Sequence, residues 1–248
     1  MAWEVTALLQ VEGLKVEVEG REILHGIDLA VDCGETHVLF GMNGSGKTTL
    51  LMAIMGFPRY RVTSGSIRFA GQDLSGMTVD QRARLGIGMM FQRPPTVRGI
   101  RLEQMVGLIS GNDDRNMEDL ARELNLADFM QRDINHGFSG GEIKRSELLQ
   151  LLAQDPELVL LDEPESGVDM ENMQLIGGYL RMLLQKDLHR TRDHCGLVIT
   201  HTGYILDYVE ADKGYVMCDG KLICSGNPRE MLADIRENGF EECSRCVK

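Results

Sequence analysis

No stretch of this chain approaches the roughly 18 to 20 consecutive apolar residues that a membrane-spanning helix needs. Residues Met1 to Gln10 hold no basic segment followed by a long apolar core, so no secretory signal is visible. Basic charge is scarce as well: Lys and Arg number 26 against 38 Asp and Glu, a formal net charge of −12. An acidic chain without a basic stripe is a poor match for duplex nucleic acid. The six cysteines, Cys33, Cys195, Cys218, Cys224, Cys243 and Cys246, are scattered rather than framed as a disulfide scaffold. That usage fits a reduced, cytoplasmic protein. Internal repeats and low-complexity linkers are missing too, and 248 residues suffice for one large domain but not two.

What is present begins at the apolar run Val38-Leu39-Phe40, which leads into GMNGSGKTT at 41–49. Gly41, four free positions, Gly46, Lys47 and Thr48 make a complete phosphate-binding loop, with Asn43, Gly44, Ser45 and Thr49 inside or beside it. Its glycines permit a tight turn whose N–H groups converge on a phosphate. A helix starting near Lys47 would aim its positive end at the same anion. Lys47 can reach the terminal phosphates of a nucleoside triphosphate, and Thr48 can place its hydroxyl on Mg²⁺.

A second motif narrows the chemistry. Leu158-Val159-Leu160-Leu161 is apolar throughout and ends in Asp162-Glu163-Pro164. Such a run fits a strand buried on both faces of a parallel sheet, which puts the two carboxylates at its carboxyl end, where open α/β sheets bind ligands. Asp162 is placed to hold Mg²⁺ and Glu163 to polarise an attacking water. A third motif, Phe138-Ser139-Gly140-Gly141-Glu142, opens an amphipathic helix with the apolar face Leu148, Leu149, Leu151 and Leu152.

The order of these motifs resembles the ABC-type ATPases. The resemblance covers essentially the whole chain and implies an α/β fold: a P-loop NTPase with a RecA-like core, an antiparallel β subdomain and an inserted helical subdomain. It implies that Ser139, Gly140 and Gly141 of one copy cap the γ-phosphate held by a second copy. Gln92 stands where the family carries its Q-loop glutamine, a further contact to nucleotide and Mg²⁺. His201, after Leu197 to Thr200, stands at the switch histidine, and Gly167-Val168-Asp169 matches the D-loop. Asp169 is also suited to cap the helix that follows it. One cassette of this length argues against a tandem-cassette ATPase.

The organisation expected from patterning is a core of 1–92 and 153–248 that includes the β subdomain, with a helical subdomain over 93–152. Val11 to Val31 reads as an antiparallel strand pair with turn signals at Glu19-Gly20 and His25-Gly26. Thr63 to Leu74 continues the β-rich flank. From about 93 to 152 strand patterning gives way to helical periodicity, as in Met117, Leu120 and Leu124. Ile205 to Val209 and Gly226 to Gly239 read as helices, and Tyr215 to Ile223 as a hairpin turning at Asp219-Gly220.

Within the family, Phe138 to Glu142 followed by Lys144-Arg145 is most similar to SufC, the ATPase of the SUF iron–sulfur cluster assembly system. Glu165 stands where transporter cassettes usually carry Thr, and Val16 to Glu19 lacks their adenine-stacking aromatic. Pro164 and Ile143 depart from the SUF pattern, Pro164 in the direction of transporters. The resemblance implies an ATP- and Mg²⁺-dependent motor that pairs with a second copy of itself and drives a SufB-like scaffold protein. The alternative is the ATP-binding subunit of a membrane ABC transporter. A nucleotide sensor that barely hydrolyses is disfavoured, because Asp162, Glu163 and His201 are all present. Finally, Cys243 and Cys246 form a C-x-x-C pair that offers half a zinc or iron–sulfur site, a redox dithiol, or two exposed thiols on a frayed tail.

Overall fold

A computed structural model describes residues 7–111, 117–187 and 192–240. In chain order, strands β1 (Ala7–Val18), β2 (Arg21–Asp32) and β3 (Thr36–Phe40) precede helix α1 (Lys47–Met55). Then come β4 (Tyr60–Phe69), β5 (Gln72–Asp73), α2 (Val79–Arg84), β6 (Ile87–Met90) and β7 (Val97–Arg101). The middle of the chain holds α3 (Leu102–Ser110), α4 (Met117–Glu123), β8 (Asp133–Ile134) and α5 (Gly140–Gln154). The last part holds β9 (Leu158–Asp162), α6 (Met170–Leu183), β10 (Cys195–Ile199), β11 (Lys213–Cys218), β12 (Lys221–Gly226) and α7 (Pro228–Asn238).

The central sheet runs β12-β11-β3-β10-β9-β6, parallel except for β12 at one edge. Every residue of β3, β9 and β10 is buried, as their unbroken apolar runs require. Successive side chains point to opposite faces and so divide between two cores. Val159, Leu161, Val38, Phe40 and Val198 face a core shared with α5 and α6. Leu158, Leu160, Leu39, Leu197 and Ile199 face one shared with α1 and the β flank. That flank is an antiparallel sheet in the order β2-β1-β4-β5. The parallel strands end together, which puts the loops after β3, β6, β9 and β10 along one edge.

Three expectations need correction. The segment 93–152 is not purely helical: β7 and β8 pair within it, Val97 opposite Ile134, and α5 runs on to Gln154. His25-Gly26 is not a turn. It lies inside β2, where Leu14 pairs with Ile27 but Lys15 with His25, so Gly26 is an extra, bulged residue at φ 93°. Residues 205–209 form no α-helix, only a 3₁₀ turn at Tyr204–Asp207. The β11–β12 hairpin does turn at Asp219-Gly220, both with positive φ (44° and 71°). Its tip is tied down on two sides: the Gly220 N–H donates to the Ser45 carbonyl, and the Gly220 carbonyl accepts from the His25 N–H, each at 2.9 Å. The hairpin thus bolts the phosphate-loop segment to the β flank. Among the described residues, no helix is long and apolar enough to cross a membrane.

Candidate functional site

The loop between β3 and α1 is shaped as an anion cradle. Gly46 precedes α1 with φ 108° and offers no side-chain cap, so the first N–H groups of the helix are left for an external acceptor. A Cβ on Gly46 would lie 2.8 Å from Leu24 Cδ2. Within the loop, Ser45 Oγ is buried and has no hydrogen-bond partner among the described residues. Lys47 curls back, its ammonium donating to the carbonyls of Gly41 (2.8 Å) and Met42 (3.0 Å). Burial pushes the Lys47 pKa down, and the nearby charges of Glu163 and Asp162 counteract this. An uncapped helix start, an orphaned hydroxyl and a buried cation suit a phosphate chain.

Asp162 ends β9 directly across from this loop and accepts a hydrogen bond from Thr48 Oγ1, at 3.0 Å to Oδ2. Burial raises its pKa, while the Thr48 hydroxyl and the nearby lysines lower it. A hydroxyl and a carboxylate in contact are the hard oxygen donors that Mg²⁺ takes alongside phosphate oxygens.

Glu163 follows in a left-handed conformation (φ 48°), uncommon for a residue with a side chain. Its N–H donates to the Ile199 carbonyl at 3.1 Å, fastening the turn to β10. The buried carboxylate is held from two sides. Gln92 Nε2 donates to Oε2 at 2.5 Å, and His201 Nδ1 lies 3.3 Å from Oε1. Gln92 thus reaches Glu163 directly, rather than the Thr48–Asp162 pair. His201 has its own support: Thr200 and Thr202, which flank it, both donate their hydroxyls to buried Glu165, Thr202 at 3.0 Å. Glu165, read from sequence as a family marker, here anchors the turn that carries the histidine.

Lys47, Thr48, Thr49, Asn43, Gly44, Gly46, Gln92 and Glu163 line one cleft of about 690 Å³. Its far wall holds Val18, Ile23, Arg59 and Tyr60. An aromatic residue, missing from β1, reaches the cleft from β4, since Tyr60 pairs directly opposite Val18. Sequence reading looked for it only along β1, and strand register is what brings it in.

Ser139, Gly140 and Gly141 do not line that cleft. They open α5, with Ser139 as N-cap in a reciprocal capping box with Glu142. Gly140 and Gly141 pack on Gly167 and Asn172. Asp169 caps α6 through the Asn172 N–H at 2.8 Å, and Arg145 donates to the Asn172 amide oxygen at 2.7 Å. The Asn172 N–H bonds hold the Asp169 pKa below the usual carboxylate range. The 139–141 turn and the 167–169 turn thus form one exposed unit, separate from the phosphate loop of the same chain. Cys243 and Cys246 lie outside the described residues.

The comparisons agree with this geometry. The ABC transporter family model matches residues 24–166. A probable ATP-dependent transporter of Synechocystis is 35% identical over 94% of both chains. Vegetative protein 296 of Bacillus subtilis is 35% identical over 94% of this chain and 92% of its own length. Among solved structures, an ATP-binding cassette of an ABC transporter in its ADP conformation superposes with a TM-score of 0.74 over 96% of this chain and 98% of that one, at 23% identity. The ATP-binding subunit of an ABC transporter gives a TM-score of 0.78 over 97% and 100% at 22% identity, a likeness of fold. The chain belongs to the ABC transporter family of ATP-binding cassettes. It is a P-loop ATPase that uses ATP with Mg²⁺. Cassettes of this family dimerise and act with transmembrane or other subunits.

Proposed function

We propose that this cassette is the ATP-hydrolysing motor of a SUF-type iron–sulfur cluster assembly complex, working in the cytoplasm on a SufB-like scaffold protein. The observation that carries the reading is the signature segment, Phe138 to Arg145, taken together with Glu165. Glu142 completes the capping box on Ser139, and Glu165 binds both threonines beside His201. Both acidic residues therefore have structural work at the positions where transporter cassettes usually carry Gln and Thr.

In this reading Glu163 is the general base, with Gln92 and His201 fixing its carboxylate toward the water that attacks the γ-phosphate. Lys47 and the N–H groups of the loop hold the phosphates. Mg²⁺, held by the Thr48 hydroxyl and Asp162, would neutralise charge on the phosphate oxygens. The ring of Tyr60 closes the base end of the cleft. Two copies close head to tail, so that the exposed 139–141 and 167–169 turns of one complete the phosphate site of the other. Closure with ATP and release after hydrolysis supply the motion. A groove lined by Phe91, Pro94, Val97, Met105 and Ile109, between β6 and α3, is the surface offered to the scaffold.

Pro164 and the names of several relatives, which speak of ATP-dependent transport, support a second reading as the energising subunit of a membrane transporter. A detergent-free pull-down from native cytosol, with partners identified by mass spectrometry, separates the two. Recovery of a soluble, iron-carrying scaffold is the expected result. Recovery only from detergent-solubilised membranes, with a multi-helix partner, would replace this reading with the transporter one.

A further inference from the structure

Beneath the Gln92 segment, the helix that begins at the signature turn carries a buried charge pair. Lys144 and Glu147 sit one turn apart on α5, with side chains 2% and 6% exposed and their charged groups 3.5 Å apart. Exposed pairs at this spacing are ordinary helix decoration. A buried pair is different, because desolvation offsets most of what the attraction gives, and apolar replacements are commonly as stable. Stability alone is therefore a poor reason for this pair.

Its contacts suggest another. Both side chains reach the backbone of one residue across the domain, on its two flanking peptide groups: the Phe91 N–H donates to Glu147 Oε1 at 2.8 Å, and Lys144 donates to the Phe91 carbonyl. The strand ladder of β6 ends at Met90, paired with Leu161 of β9. Where the ladder stops, the charge pair takes over the backbone of the next residue. It thereby sets the direction in which the chain leaves the sheet. The residue after that is Gln92, whose amide bonds Glu163. Glu147 Oε2 accepts no hydrogen bond among the described residues, so the carboxylate is spent on Phe91 and on Lys144.

We propose that Lys144 and Glu147 are positioning residues for ATP hydrolysis, a charged clamp by which the signature helix holds the Phe91 backbone on both sides and so aims Gln92 at Glu163. Neither residue lines the nucleotide cleft, and the pair acts through Gln92. The inference rests on the reading of Glu163 as general base. Movement of α5 when its amino end meets a second copy is passed through the two hydrogen bonds at Phe91 to Gln92, and from Gln92 to Glu163.

The test is a variant that removes both charges while filling the space, Lys144→Met with Glu147→Leu, assayed beside Gln92→Ala, the triple variant and Glu163→Gln. The clamp predicts a kcat at least tenfold lower, with KM for ATP within twofold and a melting temperature equal to or above wild type. It also predicts that the triple variant is no slower than Gln92→Ala alone, because both changes break one chain of contacts. A kcat within twofold of wild type in the double variant, or fully multiplicative effects in the triple, would overturn it. Should the double variant fail to fold, Glu147→Gln, which breaks the charge pair with Lys144, and Lys144→Arg, which keeps it, take its place. The same kcat-against-KM split is then expected for Glu147→Gln, with activity retained in Lys144→Arg, and unchanged turnover in Glu147→Gln counts against the clamp. Glu163→Gln separates the two levels of the argument. Normal turnover there refutes the general-base reading, whereas an inactive Glu163→Gln beside fully active clamp variants refutes the clamp alone.

Discussion

At the scale of single residues, the site is a set of short polar contacts made between distant parts of the chain. Glu163 is held by Gln92, 71 positions away, and Thr200 meets Glu165 across 35 positions. Replacing Glu165 with Val leaves the hydroxyls of Thr200 and Thr202 without their acceptor and frees the turn that carries His201. We expect turnover to fall by about tenfold or more, in line with the roughly 1–3 kcal/mol of leaving buried polar groups unpaired, with nucleotide binding retained. Steady-state ATPase assays and nucleotide titration check both parts. Tyr60→Ala should do the reverse, weakening ATP binding by about 1–3 kcal/mol if the ring stacks on the base, with kcat at saturation preserved. That Lys47, Thr48, Asp162 and Glu163 come together was legible from local spacing, because the loop carrying the first two follows the apolar run Val38 to Phe40 and the acidic pair follows Leu158 to Leu161, two runs that end at one sheet edge. The anchoring role of Glu165 and the place of Tyr60 were not. Both arise from pairing between strands and turns far apart in the chain, on which local pattern is silent.

At the scale of elements, the legible ones are those whose burial is uniform or strictly periodic. β3, β9 and β10 are buried throughout and carry the apolar runs Val38 to Phe40, Leu158 to Leu161 and Leu197 to Ile199 because both their faces are covered. β7 and β8 escaped notice because β7 is largely exposed and β8 has two residues, so neither carries a periodic signal. The β11–β12 hairpin was legible from Asp219-Gly220, but its role as a bolt was not. A Cβ on Gly220 would fall 1.9 Å from the Ile23 carbonyl oxygen, at a φ of 71°. Gly220→Ala should therefore cost at least about 2 kcal/mol and loosen the Ser45 loop, measurable by denaturant melts and by weaker ATP binding. In α5, burial pushes the pKa of Glu147 up to about 7, partly opposed by Lys144 and the Phe91 N–H and reinforced by the Asp162 charge. The native chain then holds a proton that the unfolded chain, near 4.5, has already released. This contribution to stability is complete below about 4.5 and is lost as pH rises through about 7. Asp162, also raised, adds a loss of the same sign. Lys144, lowered by burial, acts oppositely, giving stability that rises with pH up to its ordinary 10.5. Melts across pH 4.5 to 7 should show a shallower fall in Glu147→Gln than in wild type.

At the scale of the whole molecule, the two cores on either face of the central sheet hold together what the chemistry needs as one edge. The loops after β3, β6, β9 and β10 supply Lys47, Gln92, Glu163 and His201 respectively. The 139–141 turn and the 167–169 end of the loop after β9 do not line the nucleotide cleft and are joined to each other through Arg145, Asn172 and Asp169. On the proposed reading these turns complete the phosphate site of a second copy, which makes the motor one that works as a pair. The direct measurement is the solution mass of Glu163→Gln, by sedimentation velocity, with Mg²⁺ and saturating ATP or ADP. The account predicts a shift from the 27.7 kDa monomer to a dimer with ATP but not with ADP, abolished by Ser139→Arg. A monomer at saturating ATP, with binding confirmed by titration, would contradict it.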